Sequence, residues 1–293
     1  MKKALLLVSA ASLLLLQACG GGGGDDAGTS GGGNTNTSTP GGNGGDTGTN
    51  PGGNSGGGTG TGGTGQGSVS ASFQPGSASR YILVYPGGQS MGPLTDSNSQ
   101  QADNGAMITL SDNQLTGSYT VQDIAGDANF AIGRWVKGSV VRNGGATDTL
   151  TGTNGRAYHY LAYQGVSAFP DNALHCGGGD FTTPTYMDGG SKAATVGTSM
   201  TGTADIAFSN GKGALSGSLT VKANGETASV AFPKSLSSPS SMGSTGMGTS
   251  GSSASVQLAD TGDGAYALAI QLTALMPSGA RYIGVGRLTC TSN

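Results

Sequence analysis

The chain has 293 residues, of which 34% are hydrophobic, only 10% are charged and 58 are glycine, with a formal net charge of −3. Lys2 and Lys3 lie in the leader, and Asp25, Asp26 and Asp46 precede any foldable text, so the folded part carries 13 acids and 11 bases. That balance excludes the basic footprint that nucleic acid or anionic lipid requires. Polarity drawn from Ser, Thr, Asn and Gly instead of charge suits an exported β protein better than a cytoplasmic enzyme, and residues 68–293 suffice for one large β domain or two small ones.

Residues 1–18 read as a signal peptide. Met1-Lys2-Lys3 is a positive start, Ala4 to Leu16 an apolar run, and Ala18 a small residue before a cut. Thirteen residues are too few to span a hydrocarbon core, which needs roughly 20. Leu16-Gln17-Ala18-Cys19 resembles the processing site of a bacterial lipoprotein, with Gln17 a departure from it, and the resemblance makes Cys19 the lipidated first residue. An ordinary secretory signal with an incidental cysteine is the alternative. Gly20, in place of Asp, points by the same resemblance to the outer membrane.

From Gly20 to Gly67 half the residues are glycine, and Ala27 apart there is no core-forming side chain. Nothing there offsets the entropy of ordering, so 19–67 reads as a lipidated cysteine followed by a disordered tether. A Gly-rich coil of this length spans roughly 35–40 Å on average. Such a spacer fits a folded part displayed at the cell surface.

Strand text follows, with period-2 alternation and turn residues at its ends. Ser79 to Tyr85, Met107 to Leu110, Leu115 to Val121, Asn129 to Val141 and Arg156 to Gln164 are expected strands. Thr203 to Ser209, Leu215 to Lys222 and Ala228 to Phe232 form a meander through Asn210-Gly211, extended by Lys212-Gly213, and through Asn224-Gly225. Ser235 to Ser253 has no pattern and reads as a mobile loop. Tyr266, Leu268, Ile270 and Leu272 face one side of a further strand, and Arg281 to Leu288 closes the chain. About a dozen strands and no capped 3.6-residue period give an all-β antiparallel class, of the kind that closes into barrels.

Two echoes stand out. Leu115-Thr116-Gly117-Ser118-Tyr119-Thr120-Val121 matches Leu215-Ser216-Gly217-Ser218-Leu219-Thr220-Val221, and Arg80-Tyr81-Ile82 returns as Arg281-Tyr282-Ile283. They fit either convergent hairpin text or two related β units. With Cys19 lipidated, Cys176 and Cys290 remain as an even pair in an oxidising compartment, and a disulfide is expected. A Cys/His metal site using His175 is the weaker alternative, and no metal site is assigned.

The lipid-box cysteine, the Gly-rich tether and the hairpin Gly202 to Phe208 with Gly213 to Leu219 together resemble a family of Gram-negative surface lipoproteins. It includes transferrin-binding protein B, factor H-binding protein and haem- or haemophore-binding lipoproteins. The resemblance implies an eight-stranded antiparallel C-terminal barrel over 150–293, preceded by a smaller β region at 68–145. Tyr158 to Gly165 looks like the barrel's first strand and Ala280 to Gly286 like its last. It further implies a lipid-anchored outer-membrane surface binding protein that captures a host or environmental macromolecule, such as a host protein, or an iron-, haem- or other metal-carrying ligand. A TonB-dependent receptor or a surface-export translocator is the membrane partner to look for. Haem enters only as a ligand; no cofactor is assigned.

Candidate contact residues come from the aromatic and imidazole side chains. Trp135, the lone tryptophan, is either a core residue or a contact anchor. His159, among Tyr158, Tyr160 and Tyr163, is either a hydrogen-bonded wall residue or a haem ligand. Phe169 to Leu174 is an apolar, turn-rich loop next to His175, stiffened by the expected disulfide, and a pre-ordered loop loses less entropy on binding. Gly88-Gln89-Ser90-Met91-Gly92 fits the G-x-S-x-G elbow of serine hydrolases, but no helical text follows Ser90. No catalytic residue is therefore assigned. The rivals to ligand capture are an adhesive surface protein that binds glycans or cells, and a secreted hydrolase using Ser90.

Overall fold

Short alternating segments joined by turns with left-handed residues build the chain. The computed structural model describes residues 64–153, 155–190, 196–245 and 251–292. The signal peptide, the lipidation site Cys19 and most of the tether lie outside the described residues. The described residues belong to the compact unit Gly57–Asn293. Its strands are β1 (Thr64–Gly67), β2 (Ser79–Tyr85), β3 (Gly88–Pro93), β4 (Ser99–Gln101), β5 (Met107–Leu110), β6 (Asn113–Asp127) and β7 (Phe130–Val141). Next come β8 (Thr147–Thr151), β9 (Tyr158–Gly165), β10 (Leu174–Phe181), β11 (Thr185–Asp188), β12 (Ser199–Ser209), β13 (Lys212–Ala223) and β14 (Glu226–Ala231). The last are β15 (Ser235–Leu236), β16 (Gly243–Ser244), β17 (Ser253–Gly262), β18 (Ala265–Leu275) and β19 (Arg281–Ser292). The class is all-β, and no α-helix occurs among the described residues.

Two runs of pairing account for the fold. The first goes β3–β2–β9–β7–β6–β5–β4, with β8 on β7. The second goes β14–β13–β12–β10–β19–β18–β17–β16, with β15 on β13 and β11 on β19. Each of these pairings is antiparallel, and only β1 lies parallel, along β6. Asn210 (φ 49°) with Gly211 (φ 70°) and Asn224 (φ 53°) with Gly225 (φ 72°) make the two tight turns of the meander. Ser209 pairs directly with Lys212, so Lys212 and Gly213 begin β13 and do not lengthen the turn.

Three sequence expectations change. The strand that resembles a barrel's first strand, β9, pairs along its length with β2 and β7 and meets β17 at only two residue pairs. Its text cannot reveal this, because Tyr158 to Gly165 is buried on both faces and fits the middle of any sheet. The end of the supposed tether is β1. It needs no apolar side chain, since its glycines admit the backbone of β6: a Cβ on Gly67 (φ 106°) would sit 2.2 Å from the Ile124 carbonyl oxygen. Within Ser235–Ser253, read as a loop, β15 and β16 pair with β13 and β17, and Ser237, Ser238 and Ser241 tie a turn between them.

The cores explain how the sheets pack. Leu83, Trp135, Tyr158 and Tyr160 belong to the first, and Leu219, Val230, Leu268 and Tyr282 to the second. A third apolar layer joins the two. Ile82, Val84, Phe130, Ile132, Leu161 and Tyr163 face Ala259, Ala267, Ala269, Ile283 and Val285 there. The small alanine face of β18 is thus not solvated; its alanines let a second sheet approach. Cys176 and Cys290 are register partners on β10 and β19 and form a disulfide, both buried in the second core. The bond joins two neighbouring strands, not a strand to a loop, and closes a sequence separation of 114 residues.

Candidate functional site

Two of the expected contact residues are enclosed. Trp135 has no exposed surface. Its Nε1 donates to the Met107 carbonyl at 2.7 Å, and its ring stacks on Tyr158 with centroids 6.1 Å apart. Alternation on β7 had left the choice between core and surface open, and packing against β9 decides for the core. It is therefore no contact anchor in this conformation.

His159 is fully buried on the opposite face of β9, where it joins the two sheets. Its Nδ1 lies 2.8 Å from the Thr182 hydroxyl and its Nε2 2.6 Å from that of Thr185. The Thr182 hydroxyl donates to the Val285 carbonyl at 3.1 Å, so it accepts from Nδ1–H, and Thr185 donates to Nε2. Burial, and secondarily the Arg134 charge, hold this imidazole well below its ordinary pKa, so it is neutral. With both nitrogens occupied, the haem-ligand role proposed from sequence has no open imidazole here.

Its neighbour across the strands, Arg134, completes a polar clasp. Arg134 Nε donates to Asp123 at 2.8 Å and Nη2 to Gln122 at 2.9 Å. Asp123 also accepts the Thr183 backbone N–H at 2.7 Å. A bulge in β6, with Asp123 at φ 56°, aims this carboxylate. Thr182, Thr183 and Thr185 thereby fasten the β10–β11 connection to the first sheet. Sequence reasoning missed this cluster because its members come from four separate segments.

Of the remaining candidates, His175 faces outward, whereas Phe169 and Leu174 pack toward the second core. His175 faces outward on β10 opposite Asp205 of β12, and the two form an exposed pair with Nδ1–Oδ1 at 2.7 Å. Beside them an open depression of about 440 Å³ is lined by Ala173, Leu174, Asp205, Ile206, Ala207, Ala214, Leu215 and Ser216. Leu174 itself is buried, while Phe169 packs half-buried on Phe208, ring centroids 5.0 Å apart. Leu174, Ile206 and Leu215 turn into the core, so the open surface of the depression is formed by the small and polar residues Asp205, Ala207, Ala214 and Ser216 beside the imidazole–carboxylate pair, and can bind a polar ligand. No hydroxyl or thiol nucleophile is hydrogen-bonded to the His175 ring among the described residues. In the sequence Asp205 is only strand text, since it is the β10–β12 register that brings it to His175.

Ser90 lies inside β3, hydrogen-bonded to the Tyr81 hydroxyl at 2.8 Å and to Asn113 at 3.4 Å. The segment is a strand edge where a nucleophile elbow requires a strand-to-helix turn, so the motif match lacks its geometry. No family model matches the chain, and no curated protein matches it.

Proposed function

We propose that this chain is a lipid-anchored binding protein of the outer membrane, without chemistry of its own, which captures a host or environmental ligand at the cell surface. The observation that carries the reading is the order of parts: an apolar leader ending in Cys19, a Gly-rich spacer, then an all-β body closed by the Cys176–Cys290 disulfide. A disulfide suits export, and a spacer of that length is of use to a body held away from its anchor. The resemblance to surface lipoproteins of the transferrin-binding protein B kind supports the same reading from the sequence side. Contact falls to the outer face around His175 and Asp205, which borders the depression.

Protease shaving of intact cells tests the display. The wild-type body is expected to be cut from the surface, and Cys19→Ser is expected to be found soluble. Capture of host-fluid components on whole cells tests the binding face. It should be lost in Asp205→Ala and His175→Ala and unaffected in Trp135→Phe. Equal capture by all four chains would reject the assignment of that face.

A further inference from the structure

The layer between the two sheets is apolar along most of its length and turns polar at one end. There β17 and β18 meet β3 through side chains that carry no charge. Ser253, Ser255, Gln257 and Gln271 are each no more than 5% exposed, although they sit on the face turned away from the second core. Ser255 hydrogen-bonds Ser244 at 3.0 Å, and Gln257 donates to the Ser240 carbonyl at 2.8 Å while accepting from the Tyr163 hydroxyl at 2.5 Å.

Gln271 is the exception in this network. Its Nε2 donates to Gln89 Oε1 at 2.5 Å and lies 3.9 Å from the Met242 sulfur, but its Oε1 has no partner. An unpaired buried carbonyl is costly, and native structures answer nearly all such groups with protein or ordered water. Exchanging oxygen and nitrogen in both amides does not remove the deficit. Gln271 would then accept from Gln89 and leave its nitrogen unpaired at the same place.

Gln271 also lines a small, partly open void. It measures about 10 Å³ and is lined by Val84, Gln89, Ser253, Ser255, Leu272 and Thr273 together with Gln271. Such a volume is roughly what one water needs, and water requires two to four polar partners. Two serines, a threonine and two glutamines line the wall. No carboxylate or cationic side chain is among them, so a charged occupant has nothing to balance it.

We propose that a single ordered water occupies this void and completes the Gln271 amide, bridging it to the hydroxyl wall of β17. Water can donate to Oε1 or accept from Nε2, so it satisfies the amide in either orientation. The seam between the sheets is then dry at Ile82, Leu161 and Ile283 and hydrated beneath β3.

An atomic-resolution crystal structure of the whole protein tests this, paired with the same structure of Gln271→Leu. Wild type is expected to show one well-occupied water within hydrogen-bond distance of the Gln271 amide, and the variant is expected to lose it. An empty void, or Met242 moved in to fill it, overturns the proposal. So does a water that stays unchanged in Gln271→Leu. Should the variant fail to fold, the wild-type density decides alone.

Discussion

The guanidinium of Arg287 lies 3.3 Å above the ring of Phe130. The two residues belong to β19 and β7, so a cation on one sheet rests on an aromatic ring of the other, while the Arg287 Nε donates to Asp180 at 2.9 Å. A partly desolvated contact of this kind contributes about 1–2 kcal/mol. Arg287→Ala should lower the urea midpoint accordingly. A double-mutant cycle with Phe130→Leu should return a coupling of about 0.5 kcal/mol or more; strict additivity would show that the ring is not the cation's partner.

The disulfide is expected to matter more than any single contact. Closing a loop of about a hundred residues contributes about 4–5 kcal/mol in the chain-entropy model, and removing native disulfides typically costs about 2–5 kcal/mol. Cys176→Ser with Cys290→Ser, or reduction of the wild type, should lower the Tm by many degrees. A Tm unchanged by reductant would contradict this.

Acid should weaken the clasp between the sheets. The folded state keeps His159 neutral, whereas the unfolded chain protonates it near the ordinary imidazole value of 6.5. Below that value the unfolded state binds the extra proton, so the contribution of His159 is complete above about pH 6.5. It declines as pH falls toward the depressed folded pKa, at about 1.4 kcal/mol per pH unit at most. His159→Gln should flatten the fall in urea midpoint between pH 7.5 and 5, and an identical slope in both chains would remove His159 as its source.

The echoed strands make a contrasting pair of glycine tests. Gly117 and Gly217 occupy the same place in the two matching segments, with φ of 76° and 128°. A Cβ on Gly117 meets nothing within 4 Å, whereas on Gly217 it would lie 2.2 Å from the Thr203 carbonyl oxygen. Gly117→Ala should cost about 1–2 kcal/mol for the left-handed backbone alone, and Gly217→Ala roughly 3 kcal/mol. Equal costs in thermal denaturation would contradict the register of β12 on β13.

The enclosure of Trp135 has an optical consequence. Its emission should be blue-shifted and resist acrylamide until the protein unfolds, and added ligand should leave it unchanged. Quenching at the rate of free indole would return this residue to the surface.

Local text carried the strands well, because alternation and Asn-Gly turns are properties of adjacent residues. Arg80-Tyr81-Ile82 and Arg281-Tyr282-Ile283 even foretold a structural equivalence: each tyrosine enters its own core, and each isoleucine enters the layer between the sheets. What could not be read was partnership across the chain. Ala267 and Ala269 look like an unremarkable outer face until β2, β7 and β9 are laid on them. Strand β1 is built from backbone hydrogen bonds that no hydrophobic pattern announces. At the candidate site His175 stands out as a titratable residue beside a turn-rich loop, but its partner Asp205 is supplied by register alone, and only packing shows that Phe169 and Leu174 turn to the core.

The anchoring claim is tested most directly at its first residue. Intact-mass and peptide mass spectrometry of the detergent-extracted protein should find Cys19 at the N-terminus, carrying a thioether-linked diacylglycerol. A free thiol at that position, or a mature chain that begins elsewhere, would contradict the account.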